Sequence, residues 1–85
     1  MTPEVQKAVA ERLGVESLNV NGHLFLAILS NLSKRGYEYK IERVWPRKFV
    51  TASMWNYNLY MTNHHHAQAV EPLDALAEAY ARIPA

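Results

Sequence analysis

Residues 37–61 read YEYKIERVWPRKFVTASMWNYNLYM, and this stretch decides the fold. From Tyr37 to Val44 the residues alternate. Tyr37, Tyr39, Ile41 and Arg43 point one way, and Glu38, Lys40, Glu42 and Val44 point the other, which is the period-two pattern of a half-buried strand. Trp45-Pro46-Arg47-Lys48 reads as the turn, because proline cannot donate to a central ladder. Phe49–Met61 is rich in strand formers but long for one strand, about 5–6 residues being usual. It allows a bend or break near Ser53 or Asn56, with a third strand ending near Thr62. Thr62-Asn63-His64-His65-His66 reads as loop.

Helical periodicity flanks this region on both sides. The first helix is expected from about Pro3 to Leu13, with Thr2 as N-cap, Pro3 at the first position and Gly14 as the stop. Val5, Val9 and Leu13, with Ala8 beside them, make a narrow apolar face. A second helix is expected from about Gly22 to Arg35, after a cap at Asn19 or Asn21. Leu24, Phe25, Ile28, Leu29 and Leu32 form its stripe, and Gly36 ends it. A last helix is expected from about Glu71 or Pro72 to Ile83, striped by Leu73, Leu76, Ala77, Tyr80 and Ile83. The order is α-α-β-β(-β)-α. The economical architecture is α+β: a small antiparallel sheet of two or three strands packed with helices. Both sheet faces carry aromatics, so the second face is expected to meet another subunit or a ligand.

The chain has 85 residues, which makes residues 1–85 a single domain. Hydrophobic residues make up 49% and charged residues 20%, which excludes a disordered or low-complexity chain. Without cysteine there is no disulfide scaffold and no thiolate metal site. No apolar run is long enough to span a membrane. Glu4, Lys7, Glu11 and Arg12 near the start argue against a secretory leader. The expectation is a cytoplasmic protein. A chain this short buries a thin core, and its aromatics exceed what that core hides, so a homo-oligomer is expected.

The net charge of +1 conceals an uneven distribution. Lys34, Arg35, Lys40, Arg43, Arg47 and Lys48 place six of the nine basic residues in one short window. Seven aromatics lie between Tyr37 and Tyr60. Basic and aromatic residues in one segment compose surfaces that hold phosphates and stack bases.

Three constellations follow. Arg43, Arg47 and Lys48 surround Trp45 at the hairpin tip: arginine forks suit phosphate oxygens, and tryptophan offers a stacking face. The plain alternative is an exposed charged tip whose Trp45 packs on a neighbour, with Glu38 and Glu42 neutralising Lys40 by cross-strand pairing. In the strand reading, Trp55, Tyr57 and Leu59 share a face that reads as core or interface. Asn56, Asn58 and Tyr60 share the other, suited to a polar ligand or a partner strand. His64 and His66 project to one side of an extended segment and read as solvated residues or donors to an anion. No metal site or cofactor is expected, because no recognised metal-ligand spacing exists. No nucleophile elbow, phosphate loop or paired-carboxylate motif appears, so no catalytic residue is assigned and no enzyme is expected.

The leucine-striped helix, Gly36-Tyr37, the aromatic strand pair and the helix start Ala67-Gln68-Ala69-Val70-Glu71-Pro72-Leu73 together resemble the small bacteriophage proteins of the phage ABA-sandwich family. The likeness covers about residues 22–83. It departs where the family continues with Ala-Ile and a cysteine or arginine, since Asp74, Ala75, Leu76, Ala77 and Glu78 stand here. The resemblance implies a phage-type binding protein, with anti-defence sponging of a nucleotide-derived immune signal as one role. The expected ligand is a cyclic nucleotide or ADP-ribose derivative at a subunit interface. Arg43, Arg47 and Lys48 would neutralise phosphate, Trp45, Trp55 or Tyr57 would stack, and Asn58, His64 or His66 would add polar contacts. The alternative is a protein–protein interaction module that inhibits a host protein or serves a virion. A third reading is weak nucleic-acid binding, against which the small net charge argues.

Overall fold

Helix α1 (Pro3–Leu13) starts where the Thr2 hydroxyl accepts from the Val5 N–H at 3.2 Å, with proline at the first position. It stops at Gly14, whose φ of 74° lies in the left-handed region that glycine enters without Cβ strain. Helix α2 (Gly22–Lys34) is capped by Asn21, whose side-chain oxygen accepts from the His23 N–H at 2.9 Å. Strands β1 (Glu38–Glu42), β2 (Val50–Tyr57) and β3 (Thr62–Ala69) follow, then helix α3 (Pro72–Arg82). The structure is a computed structural model and describes residues 1–43, 45–57 and 62–84. Of the residues singled out above, Val44, Asn58, Leu59 and Tyr60 lie outside the described residues.

The strands form one antiparallel sheet in the order β1-β2-β3. The α-α-β-β-β-α order confirms the expected α+β architecture. Helix α3 lies on β2 and β3, α1 and α2 pack on α3, and α2 touches β1. The core therefore sits between the sheet and the helices. Val50, Ala52, Met54 and Ala67 from the sheet meet Val9, Leu24, Ile28, Leu32, Leu76, Tyr80 and Ile83. Each fully buried large side chain here contributes roughly 1.5–3 kcal/mol of transfer free energy.

Two strand assignments need correction. The histidine-containing segment is not a loop: Thr62–Ala69 is a full strand paired along β2. Its polar letters hide the alternation. Ala67 is buried and His65 and Ala69 are half-buried on the helix side, while His64, His66 and Gln68 are exposed. Pairing with β2 supplies what local propensity does not. The third strand is thus this later segment, not a piece of 49–61, from which β2 takes Val50–Tyr57 unbroken.

The second correction concerns which face is covered. Val50, Ala52 and Met54 are buried beneath the helices, so Trp55 faces away from them and Asn56 toward them. The Trp55 face is not core.

The end of α3 is held from two other elements. Arg12 of α1 donates from Nε to the Ile83 carbonyl at 2.8 Å, and Arg35, after α2, donates to the Pro84 carbonyl. Both cations sit at the electronegative end of the helix. Tyr80, fully buried, donates its hydroxyl to Asn31 Oδ1.

Candidate functional site

The strand register lays out the uncovered sheet face row by row. Glu38, Trp55 and His64 stand side by side across the three strands, then Lys40, Ser53 and His66, then Glu42, Thr51 and Gln68. None of these residues is buried. The first row is ordered. Trp55 Nε1 donates to Glu38 Oε2 at 2.7 Å, and the indole stacks on His64 with ring centroids 5.7 Å apart and planes inclined by 24°. In the third row Gln68 Nε2 donates to Thr51 Oγ1 at 3.3 Å. Lys40 pairs with Glu42 along its own strand at 3.2 Å, not across strands. This exposed pair contributes at most about 1 kcal/mol. At neutral pH the face carries two carboxylates and one ammonium, an unfavourable surface for a polyanion.

The hairpin tip is a second, separate group. Trp45 is 91% exposed, and its peptide bond to Pro46 is cis. Arg47 and Lys48 are exposed and make no hydrogen bond or ion pair among the described residues. Arg43 is different: its Nη2 donates to the Val70 carbonyl at 2.7 Å, tying the hairpin to the connection before α3. An open groove of about 360 Å³ beside it is lined by Ile41, Glu42, Arg43, Val50, Glu71 and Pro72. Phe49 at 46% and Val70 at 62% exposure add apolar surface at this end.

The structure does not bring the two groups together. Trp55 lies five strand positions beyond Val50 at the hairpin end, or about 17 Å. Arg43, Trp45, Arg47 and Lys48 therefore occupy one end of the sheet, and Trp55 and His64 the other. His66 lies between. Tyr57 continues β2 past Trp55. A concavity of about 470 Å³ between α1 and the connection to α2 includes none of these residues.

The consecutive histidines split by strand alternation. His64 and His66 face outward, while His65 turns toward the helices, 6.4 Å from the Tyr37 ring and tilted 54° to it. Its buried Nε2 has no hydrogen-bond partner among the described residues. Burial holds the His65 pKa below the usual 6.5, helped by the neighbouring charge of His64. Among the described residues no group of three or more His, Cys, Asp or Glu side chains is placed to hold a metal ion. No helix among them is long and apolar enough to cross a membrane.

Sequence reasoning missed Glu38 as the partner that holds Trp55. The signal was present, because both residues lie on alternating strands. It becomes readable only once the hairpin register pairs Glu38 with Trp55. It also missed the link from Arg82 Nη1 to the His66 carbonyl.

Comparison with known proteins returned no matching family model, no matching curated protein and no matching solved structure.

Proposed function

We propose that this chain is a non-enzymatic binding protein whose hairpin tip takes a compact, phosphate-bearing, nucleotide-type ligand. The observation that carries the reading is Trp45, 91% exposed, beside two cations without partners among the described residues. A solvated indole next to an arginine fork and an ammonium offers a stacking face and anion neutralisation together. Arg43 acts differently from Arg47 and Lys48. Its guanidinium holds the Val70 carbonyl, so it positions the tip while keeping its positive charge beside it.

Trp45, Arg47 and Lys48 are all exposed and leave a bound ligand open to solvent. A second copy is therefore needed to bury the ligand, which fits the homo-oligomer expected from the small core. Trp55 and Tyr57 belong to the far half of β2 and would reach the same ligand only from another copy. An anti-defence role in a host cytoplasm, sequestering a cyclic nucleotide or an ADP-ribose derivative, is the biological setting that the phage-protein resemblance supplies.

Native mass spectrometry of the untagged protein purified from cells tests this reading. An oligomer that carries a few-hundred-dalton, phosphate-containing compound, released on heating, supports it. A ligand-free monomer that takes up neither ADP-ribose nor a cyclic dinucleotide overturns it.

One observation favours a second reading, a protein–protein interaction module. The Glu38-Trp55-His64 row on the uncovered sheet face is already ordered, as suits docking against a protein surface. Salt separates the two: phosphate binding weakens as salt rises, while a burial-driven interface barely responds.

A further inference from the structure

The edge of β3 is the least protected feature of the fold. The strand runs for eight residues, and among the described residues no strand pairs with its outer side. Sheet edges are ordinarily blunted by charge or proline, yet TNHHHAQA contains neither. Besides its packing on the covered face, α3 reaches the backbone of this strand through the exposed Arg82 side chain on the His66 carbonyl. Self-pairing would exchange that donor for a backbone N–H.

His64 and His66 stand two apart on this edge strand, both exposed and both on the uncovered face. Their spacing along the strand is about 6.7 Å. Their rings carry no hydrogen bond among the described residues, and His64 only stacks on Trp55. Two imidazoles alone make half a site, and the chain supplies no third donor among its described residues. A second copy supplies the remainder. Antiparallel pairing of two β3 strands about a twofold axis at His65 sets His64 opposite the partner's His66 and the reverse, with Cα atoms about 5.5 Å apart. Four imidazoles then face the same side of a continuous sheet.

We propose that two copies of this chain join through their β3 edges and hold one zinc-class ion between the His64 and His66 side chains of both. An all-imidazole donor set suits zinc, copper or nickel and not magnesium or calcium. The ion would add a metal link to a backbone ladder. This site is independent of the hairpin tip.

The test is native mass spectrometry and sedimentation of the untagged full chain with zinc chloride, and again with a chelator. With nucleotide ligands removed beforehand, the expected result is a dimer carrying a single zinc ion, which the chelator returns to monomer. His64→Ala and His66→Ala should each lose the zinc-dependent dimer while far-ultraviolet circular dichroism shows the chain still folded, and His23→Ala should keep it. Arg47→Ala with Lys48→Ala should also keep it, which separates this site from the nucleotide reading. A monomer in zinc, a dimer that persists in chelator, or a zinc dimer indifferent to both histidine variants would each overturn the proposal.

Discussion

The Trp55 indole donates to Glu38 Oε2 at 2.7 Å across two strands, on the face that no helix covers. With His64 stacked on its other side, the ring is held in one orientation before any partner arrives. Glu38→Ala should therefore cost about 1 kcal/mol, the usual worth of a partly exposed hydrogen bond to a charged acceptor. In a Trp45→Phe background Trp55 is the remaining tryptophan, and its emission should shift to the red. Denaturant unfolding followed by fluorescence measures both effects. An unchanged spectrum and midpoint would mean that the row is not ordered in solution.

Arg12 ties α1 to the last carbonyls of α3 through Ile83 and also donates to its own helix at Ala8, 3.0 Å away. Arg12→Ala should lower stability by about 1–2 kcal/mol, since it removes a charge-assisted donor from a partly buried helix end. Arg12→Lys should recover only part, because an ammonium lacks the fork that reaches both carbonyls. Thermal melts of the three proteins check the order.

Tyr80 gives an alkaline signature. Burial raises its pKa above the ordinary 10, opposed by the nearby Arg35 and Arg12 charges. A folded-state value above the unfolded one means that the folded chain keeps its proton longer. The contribution is fully present below pH 10 and is lost as pH rises through the higher folded value. Tyr80→Phe should cost about 1–2 kcal/mol at neutral pH, by leaving Asn31 Oδ1 without its donor, and should flatten the decline above pH 10. Urea midpoints at several alkaline pH values test this.

The helices were legible in the sequence because each carries its own stop and start: Thr2 with Pro3, Gly14, Asn21, Gly36 and Pro72. The β1 strand was legible because apolar and charged residues alternate from Tyr37 to Glu42. The β3 strand was not. Its inward residues are His65, Ala67 and Ala69, too small or too polar to announce a buried face. The sequence left core and interface open for the Trp55 face for a related reason: Ala52 and Met54 are modest core residues, and the larger Trp55 points away from the helices. The candidate site was legible as residue types but not as positions. Nothing in the spacing of Trp45 and Trp55 says that they mark opposite ends of one sheet.

Trp45 should matter to binding and not to folding. At 91% exposure its removal leaves no cavity, so Trp45→Ala should change the melting temperature by little. It should nonetheless weaken nucleotide binding by about 1–3 kcal/mol, the range for one lost base-stacking contact. Melting curves and a titration with ADP-ribose measure the two quantities on the same preparation.

The central claim is that Arg47 and Lys48 at the hairpin tip neutralise a phosphate-bearing ligand. Isothermal titration of the parent and of the Arg47→Ala, Lys48→Ala double variant with ADP-ribose and with a cyclic dinucleotide tests it most directly. The account predicts salt-sensitive binding of at least one of these by the parent and none by the variant, with melting temperatures that agree. A variant that binds as well as its parent would contradict it, and so would a parent that binds neither.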